Sequence, residues 1–312
     1  MRIAILAKVR LAAHRTRAVR GSMRFIGRLC FALFSIGAAA PLAAQAHQAC
    51  PAPNTLGVAR AVDIDTTGGP RFGSQHGDPG FLASGEVVLT FDDGPATAST
   101  RAILAALASE CTRATFFVVG EMAAAHPEVV REIALQGHTI GTHTWSHANL
   151  RRLSEASMKV QIEAAFTEAE KAAGEPIAPF FRFPYLSGTH ATDAYLKSRD
   201  IAQFSIDIDS LDWRTRDARS VVRRVMAQLE ARGRGIILMH DIHASTALAV
   251  PTLLARLREK GFKVVHLRPT VSLRALVVPQ GRDRTTGVYQ RRRPFQAKTQ
   301  QADGWPAKWP PW

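Results

Sequence analysis

Asp92 and Asp93 stand side by side in the stretch LTFDDGP, over 89–95, directly after the apolar run VVLTF. Adjacent carboxylates repel, and setting them where a buried strand ends raises a pKa to no purpose unless a cation lies nearby. Gly94-Pro95 ends the strand there, so both side chains belong to the mouth of whatever sheet it joins. Further along, GTHTWSHANL carries His143 and His147 four positions apart. One turn of helix would aim both imidazoles at a single point. One carboxylate and two imidazoles leave coordination positions open for water and substrate, as a catalytic divalent metal requires.

A hydrolytic metal site also needs a base for the attacking water and an acid for the leaving group. Asp92 is available as the base, and Arg182, in FFRFPY, is a cation that would pair with it and hold it ionised. His240 closes the run GIILMH, where a histidine can be oriented by one carboxylate and still reach a substrate. Asp209 and Asp212, in DIDSLDW, end the preceding strand, and either would orient His240 or back up Arg182. Trp213 offers an apolar wall for a small group. HDIH sets Asp241 and His243 beside the acid, with His243 read as a loop residue or supporting contact and not a ligand.

These residues need elements to bring them together. Apolar runs of strand length recur at 87–91, 115–120, 138–143, 180–185, 202–207, 235–240 and 263–267. Amphipathic stretches of helical period lie between them, near 99–109, 123–136, 154–173, 190–199, 220–232 and 247–260. Strands joined by helical crossovers run parallel and need both faces covered, which makes the chain α/β. Seven strand candidates suit a closed barrel, a distorted (β/α)7 arrangement in one domain, with an open flavodoxin-like sheet as the alternative. In both, the loops after the strand C-termini gather at one end, where such folds build their sites.

The ordered set TFDDGP, HTWSH, RFPY, DSLDW and LMH, over about 85–275, resembles the five motifs of the polysaccharide deacetylases of carbohydrate esterase family 4, the NodB-homology domain. The resemblance implies a barrel of about seven βα units and removal of N-acetyl groups from an N-acetylglucosamine polymer or oligomer. It implies that Asp93, His143 and His147 hold one divalent metal, zinc first, with cobalt, nickel or manganese as alternatives. Asp92 would be the base, tuned by Arg182, and His240 the acid, partnered by Asp212 in preference to Asp209. The Tyr185 backbone would help hold an oxyanion, Pro184 and Tyr185 would contact substrate, and Trp213 would line the acetyl pocket. Leu186 stands where many relatives have glycine, which bears on the shape of that loop. A carbohydrate-binding protein that keeps the metal for structure is the rival reading.

Composition bounds the rest. The formal net charge of +14 raises nucleic acid as a partner, but the excess sits at the ends. Residues 1–46 hold eight Lys or Arg and no acids, residues 279–312 hold seven against two, and the stretch between carries +1. A nucleic-acid partner is therefore not expected. From Met23, MRFIGRLCFALFSIGAAAPLAAQA has the basic start, short apolar run and small-residue end of a secretory signal, so export to the periplasm or exterior is expected, with 1–46 removed and translation starting at Met1 or Met23. The apolar run is too short for a stable membrane span. Cys30 would leave with the signal, and Cys50 and Cys111 are a candidate disulfide. Residues 47–85 read as an extended or loosely ordered lead-in to a domain over 86–276. Residues 277–312, basic and rich in Pro and Trp, read as a disordered tail able to touch an anionic cell wall. A monomer is expected.

Overall fold

The computed structural model describes residues 54–77 and 80–271. The signal peptide expected over 1–46, Cys50 and the tail over 277–312 lie outside them. In chain order the elements are β1 (Arg60–Ile64), β2 (Arg71–Phe72), β3 (Glu86–Asp92), α1 (Thr97–Ser109), β4 (Thr115–Val118), α2 (Gly120–Ala125), α3 (Pro127–Leu135), β5 (Thr139–Thr142), α4 (Glu155–Ala173), β6 (Phe180–Phe181), α5 (His190–Ser198), β7 (Ala202–Phe204), β8 (Ile208–Asp209), α6 (Ala218–Arg232), β9 (Gly235–His240), α7 (Ala244–Glu259) and β10 (Lys263–Pro269). Helix boundaries follow local chemistry. Ser154 caps α4 by accepting from the Ser157 N–H, and Asp217 caps α6 in the same way. The stretch expected as one helix over 123–136 is two, because Pro127 cannot continue α2 and instead starts α3.

Every ladder among the described residues is parallel. The order β9-β3-β4-β5-β6-β7 runs around the barrel, and the segment 202–209 closes it: β7, at its start, pairs with β6, and β8, at its end, pairs with β9. One bent segment thus serves two neighbours, which is the distortion of the barrel. β10 pairs with the first two residues of β3 and carries β1. β2 pairs with β7. Residues 60–64 and 71–72, read from sequence as part of a loose lead-in, are therefore strands of the sheet. Their partners lie far along the chain, so no local period reveals them.

Alternation along the strands sorts the side chains into two cores. Val87, Leu89 and Phe91 of β3, Phe116 and Val118 of β4, and Ile237 and Met239 of β9 pack outward against the helices. Val88, Phe117, Phe180, Phe204 and Ile236 form a second cluster inside the barrel, where the Phe204 ring lies 4.8 Å from Phe180 and 5.8 Å from Phe117. The same parity continues upward from that layer. Thr90 and Asp92 follow Val88, Arg182 follows Phe180, and His240 shares the face of Ile236, so the interior changes from apolar to polar toward the strand C-termini.

Cys111, in the turn after α1, is disulfide-bonded. No helix of the described residues is long and apolar enough to cross a membrane.

Candidate metal centre and its acid and base

Asp93 has the wrong strand parity to face inward, and its backbone corrects this. It adopts φ 76°, the left-handed region that a non-glycine residue enters only at a cost, and this turns the chain so that its carboxylate swings back over the barrel mouth. There Asp93 Oδ1 lies 3.5 Å from His143 Nε2 and 3.3 Å from His147 Nε2. Tetrahedral ligands about 2.1 Å from a zinc-like ion stand roughly 3.4 Å apart, so these separations suit one first-row cation.

The proton positions agree. The His143 Nδ1 lies 2.8 Å from the Arg182 carbonyl, which can only accept, so the proton is on Nδ1 and Nε2 presents a lone pair. Asp93 Oδ1 is buried without a hydrogen-bond partner. A carboxylate oxygen and an imidazole lone pair facing each other in a buried site repel unless a cation lies between them. Burial holds both imidazoles neutral, pushing His143 down to about 3 and His147 to about 2, and it pushes Asp93 up to about 7. Neutral imidazoles and a carboxylate short of positive charge form a donor set matched to a divalent metal.

The two histidines do not ride on a helical turn. Residues 143–149 are irregular, with Thr144 at φ 68° and His147 at φ 53°, so the four-residue spacing does not produce the convergence. The loop is held by neighbours instead. Its carbonyls at Thr144 and Trp145 accept from Gly120 and Glu121 of α2, and Gln161 of α4 takes the N–H groups of Trp145 and Ser146. Six of the nine described non-glycine residues with positive φ (Asp93, Thr144, His147, Tyr185, Leu186 and Leu211) sit on loops around this mouth. Such strain persists only where surrounding packing holds it.

Asp92 lies one position inward, and its Oδ1 accepts from Arg182 Nη1 at 2.7 Å. Arg182 is fully buried and spends its other donors on Thr90 Oγ1, the Phe204 carbonyl and the Ser205 carbonyl, while its guanidinium lies 4.3 Å over the Phe117 ring. Burial raises the Asp92 pKa, and the adjacent Arg182 charge opposes that rise. Asp92 Oδ2 remains toward the metal ligands, 3.9 Å from His143 Nε2.

Across the β3–β9 ladder, His240 is the register partner of Asp92. Its Nδ1 lies 2.7 Å from Asp212 Oδ1, and its backbone N–H donates to Asp212 Oδ2 at 2.7 Å. The Thr246 hydroxyl donates to the same Oδ2 at 2.6 Å. Burial would lower the His240 pKa, but Asp212 above all, with Asp93 and Asp92, raises it to about 10. Burial likewise works to raise Asp212, yet His240 and three hydrogen bonds hold it at about 2. Asp209 is occupied elsewhere, accepting from the Leu211 N–H in a local turn.

Pro184 and Tyr185 open a short 3-10 turn over 184–186, in which Tyr185 and Leu186 both take left-handed φ. The Tyr185 ring, 43% exposed, lies 4.9 Å from the His147 ring, so it forms a rim of the ligand cluster. Trp213 is half-buried beside Asp212 with the Arg214 guanidinium 5.2 Å over its ring. Thr90, Thr246 and Gln161 escape a sequence reading because each acts on another functional residue through tertiary contact alone. The mouth therefore brings together, within one enclosure, a carboxylate and two imidazoles spaced for a cation, a second carboxylate paired with Arg182, and a histidine paired with Asp212.

Comparison with known proteins places the chain among similar sequences and folds. The family model described as polysaccharide deacetylase matches residues 82–204. The chain is 33% identical over 184 residues to the peptidoglycan-N-acetylglucosamine deacetylase PgdA of Listeria monocytogenes, covering 58% of this chain but only 38% of that protein's length. It is 30% identical over 155 residues to a chitooligosaccharide deacetylase of Azorhizobium caulinodans, covering 50% of this chain and 73% of the relative. Among solved structures, the Bdellovibrio bacteriovorus peptidoglycan deacetylase Bd3279 aligns with a TM-score of 0.64 at 32% identity, over 72% of this chain and 63% of that one.

Proposed function

The chain belongs to the polysaccharide deacetylase family, and on that premise we propose that it is a metal-dependent hydrolase removing N-acetyl groups from an N-acetylglucosamine-containing glycan outside the cytoplasm. The observation that carries this reading is the convergence of Asp93, His143 and His147 on one point, with Asp92 and His240 beside it as register partners. Relatives named for peptidoglycan and chitooligosaccharides support a β-linked aminosugar substrate, with peptidoglycan first.

Asp93, His143 and His147 would hold one divalent cation, zinc in the first instance with cobalt, nickel or manganese able to replace it, and bound there it supplies positive charge that polarises the acyl group and acidifies a nearby water. Asp92 takes the proton from the attacking water, because Arg182 favours its ionised form against burial and its second oxygen faces the ligand cluster. His240, held by Asp212 through Nδ1, keeps its other ring nitrogen for the departing amine and donates the proton that lets the C–N bond break. The Tyr185 N–H would share the developing oxyanion charge, and Trp213 would wall the acetyl methyl. Pro184 and Tyr185 would bear against the sugar.

The test is acetate release from peptidoglycan and from chitin oligomers, before and after chelation and after adding zinc. Release from at least one glycan, abolished by the chelator and restored by zinc, is expected. Full activity in a metal-free preparation contradicts the mechanism, and no release from any glycan contradicts the function.

A further inference from the structure

The turn carrying the base and the ligand carboxylate must hold an unfavourable shape. Asp92 has to follow strand parity toward Arg182 while Asp93, the next residue, reverses direction through φ 76°. Aspartate enters that region more readily than most residues but still at a cost, so contacts from outside the turn help to hold it.

Asp241 lies directly beneath it. This residue follows His240 at the end of β9 and is 1% exposed. A methyl group placed on Gly94 would stand 2.1 Å from Asp241 Oδ2 and 2.2 Å from Oδ1, so only glycine lets the turn rest on the carboxylate, and the Gly94 amide faces it. The Asp241 N–H donates to the Asp92 carbonyl at 3.3 Å. From the other side, Thr100 Oγ1 of α1 donates to Asp241 Oδ2 at 2.6 Å and also accepts from the Ala96 N–H, while Ser99 Oγ donates to the Asp241 carbonyl. One buried residue therefore joins these elements: its backbone meets the Asp92 carbonyl and Ser99, and its carboxylate alone bridges the Gly94 turn to Thr100 in the first turn of α1. Neither the proton transfers nor the ligand set above uses Asp241.

We propose that Asp241 is a positioning residue of the metal centre, gripping the Asp92–Gly94 turn from below so that Asp93 meets His143 and His147 while Asp92 meets Arg182. This rests on the metal-centre reading given above. A carboxylate that supports a ligand-bearing backbone acts as an outer-shell partner, whose loss costs about 10- to 100-fold in metal affinity or activity.

The full-length protein, stripped of metal, is titrated with cobalt(II) and followed by its visible absorption spectrum, with zinc affinity measured by competition. Asp241→Ala is expected to weaken cobalt binding about 10- to 100-fold and to change the spectrum. Asp241→Asn, which keeps the shape and an acceptor for the Thr100 hydroxyl, is expected to recover most of the affinity. Leu253→Ala, a core truncation in α7, serves as the stability control and is expected to lower Tm while leaving the cobalt spectrum unchanged. A parent that binds cobalt and an Asp241→Ala variant that binds it with the same Kd and spectrum overturns the inference alone. A parent that binds neither cobalt nor zinc overturns the metal centre together with it. Should Asp241→Ala fail to fold, Thr100→Val decides: weaker cobalt binding in the same direction supports the inference, and unchanged binding overturns it.

Discussion

Arg182, just past β6, and Asp92, the last residue of β3, meet at 2.7 Å in a fully enclosed site although they are ninety positions apart in sequence. Neither group would be there without the other. A buried guanidinium costs several kcal/mol in desolvation, and a buried carboxylate as much, so the pair persists because each supplies the counter-charge and hydrogen bonds the other requires.

Replacing Arg182 with Ala leaves Asp92 as an uncompensated buried anion, and the expected loss of stability is about 3–5 kcal/mol. The sign of the accompanying change in activity is fixed by electrostatics. Arg182 opposes the rise in the Asp92 pKa caused by burial, so its loss raises that pKa further and moves the acid limb of the pH–rate profile to higher pH. Chemical denaturation and a pH series of kcat/KM check the two effects.

Asp92→Asn removes the proposed base and spares the proposed ligand set. Turnover should fall about 10²- to 10⁴-fold, while metal content stays at the parent's level. Acetate release together with metal analysis of the purified variant separates these outcomes, and metal loss equal to the turnover loss would contradict the division of roles.

The double substitution His143→Ala with His147→Ala should abolish both metal binding and acetate release. In the parent, a chelator should remove activity and added zinc or cobalt restore it. Restoration of the double variant by zinc at concentrations that restore the parent would place the metal elsewhere.

Asp212→Asn replaces the anion that chiefly raises the His240 pKa to about 10. Removing an anion disfavours imidazolium, so the His240 pKa falls. The proton-donating form is then lost at lower pH, and the alkaline limb of kcat/KM moves downward. Asp209→Asn, which leaves the His240 hydrogen bonds in place and removes only a weaker, unbonded charge interaction, should move that limb less than Asp212→Asn does.

The candidate site was legible in one respect above all: Asp92, Arg182 and His240 stand at the ends of apolar runs, at positions that period-two alternation assigns to the face of Val88, Phe180 and Ile236. The helix rhythm between those runs was legible for the same reason, because periodicity is a property of neighbouring residues. What alternation could not supply was Asp93, whose parity points the wrong way until a left-handed backbone reverses it. The spacing of His143 and His147 suggested a helical turn, yet contacts from α2 and Gln161 hold the loop.

The sequence by itself thus determined the α/β alternation, the residue types at each strand end and the chemistry they make possible. Tertiary structure alone decided that residues 60–64 and 71–72 join the sheet and that 202–209 closes the barrel by serving two neighbours, and it places against His240 the Asp212 that the motif resemblance preferred to Asp209. Strand and helix patterns arise from the side chains of a few adjacent residues. Ladder partners, buried ion pairs and the backbone strain that aims Asp93 depend on groups brought together from distant parts of the chain, and only the packed barrel supplies the contacts that hold them.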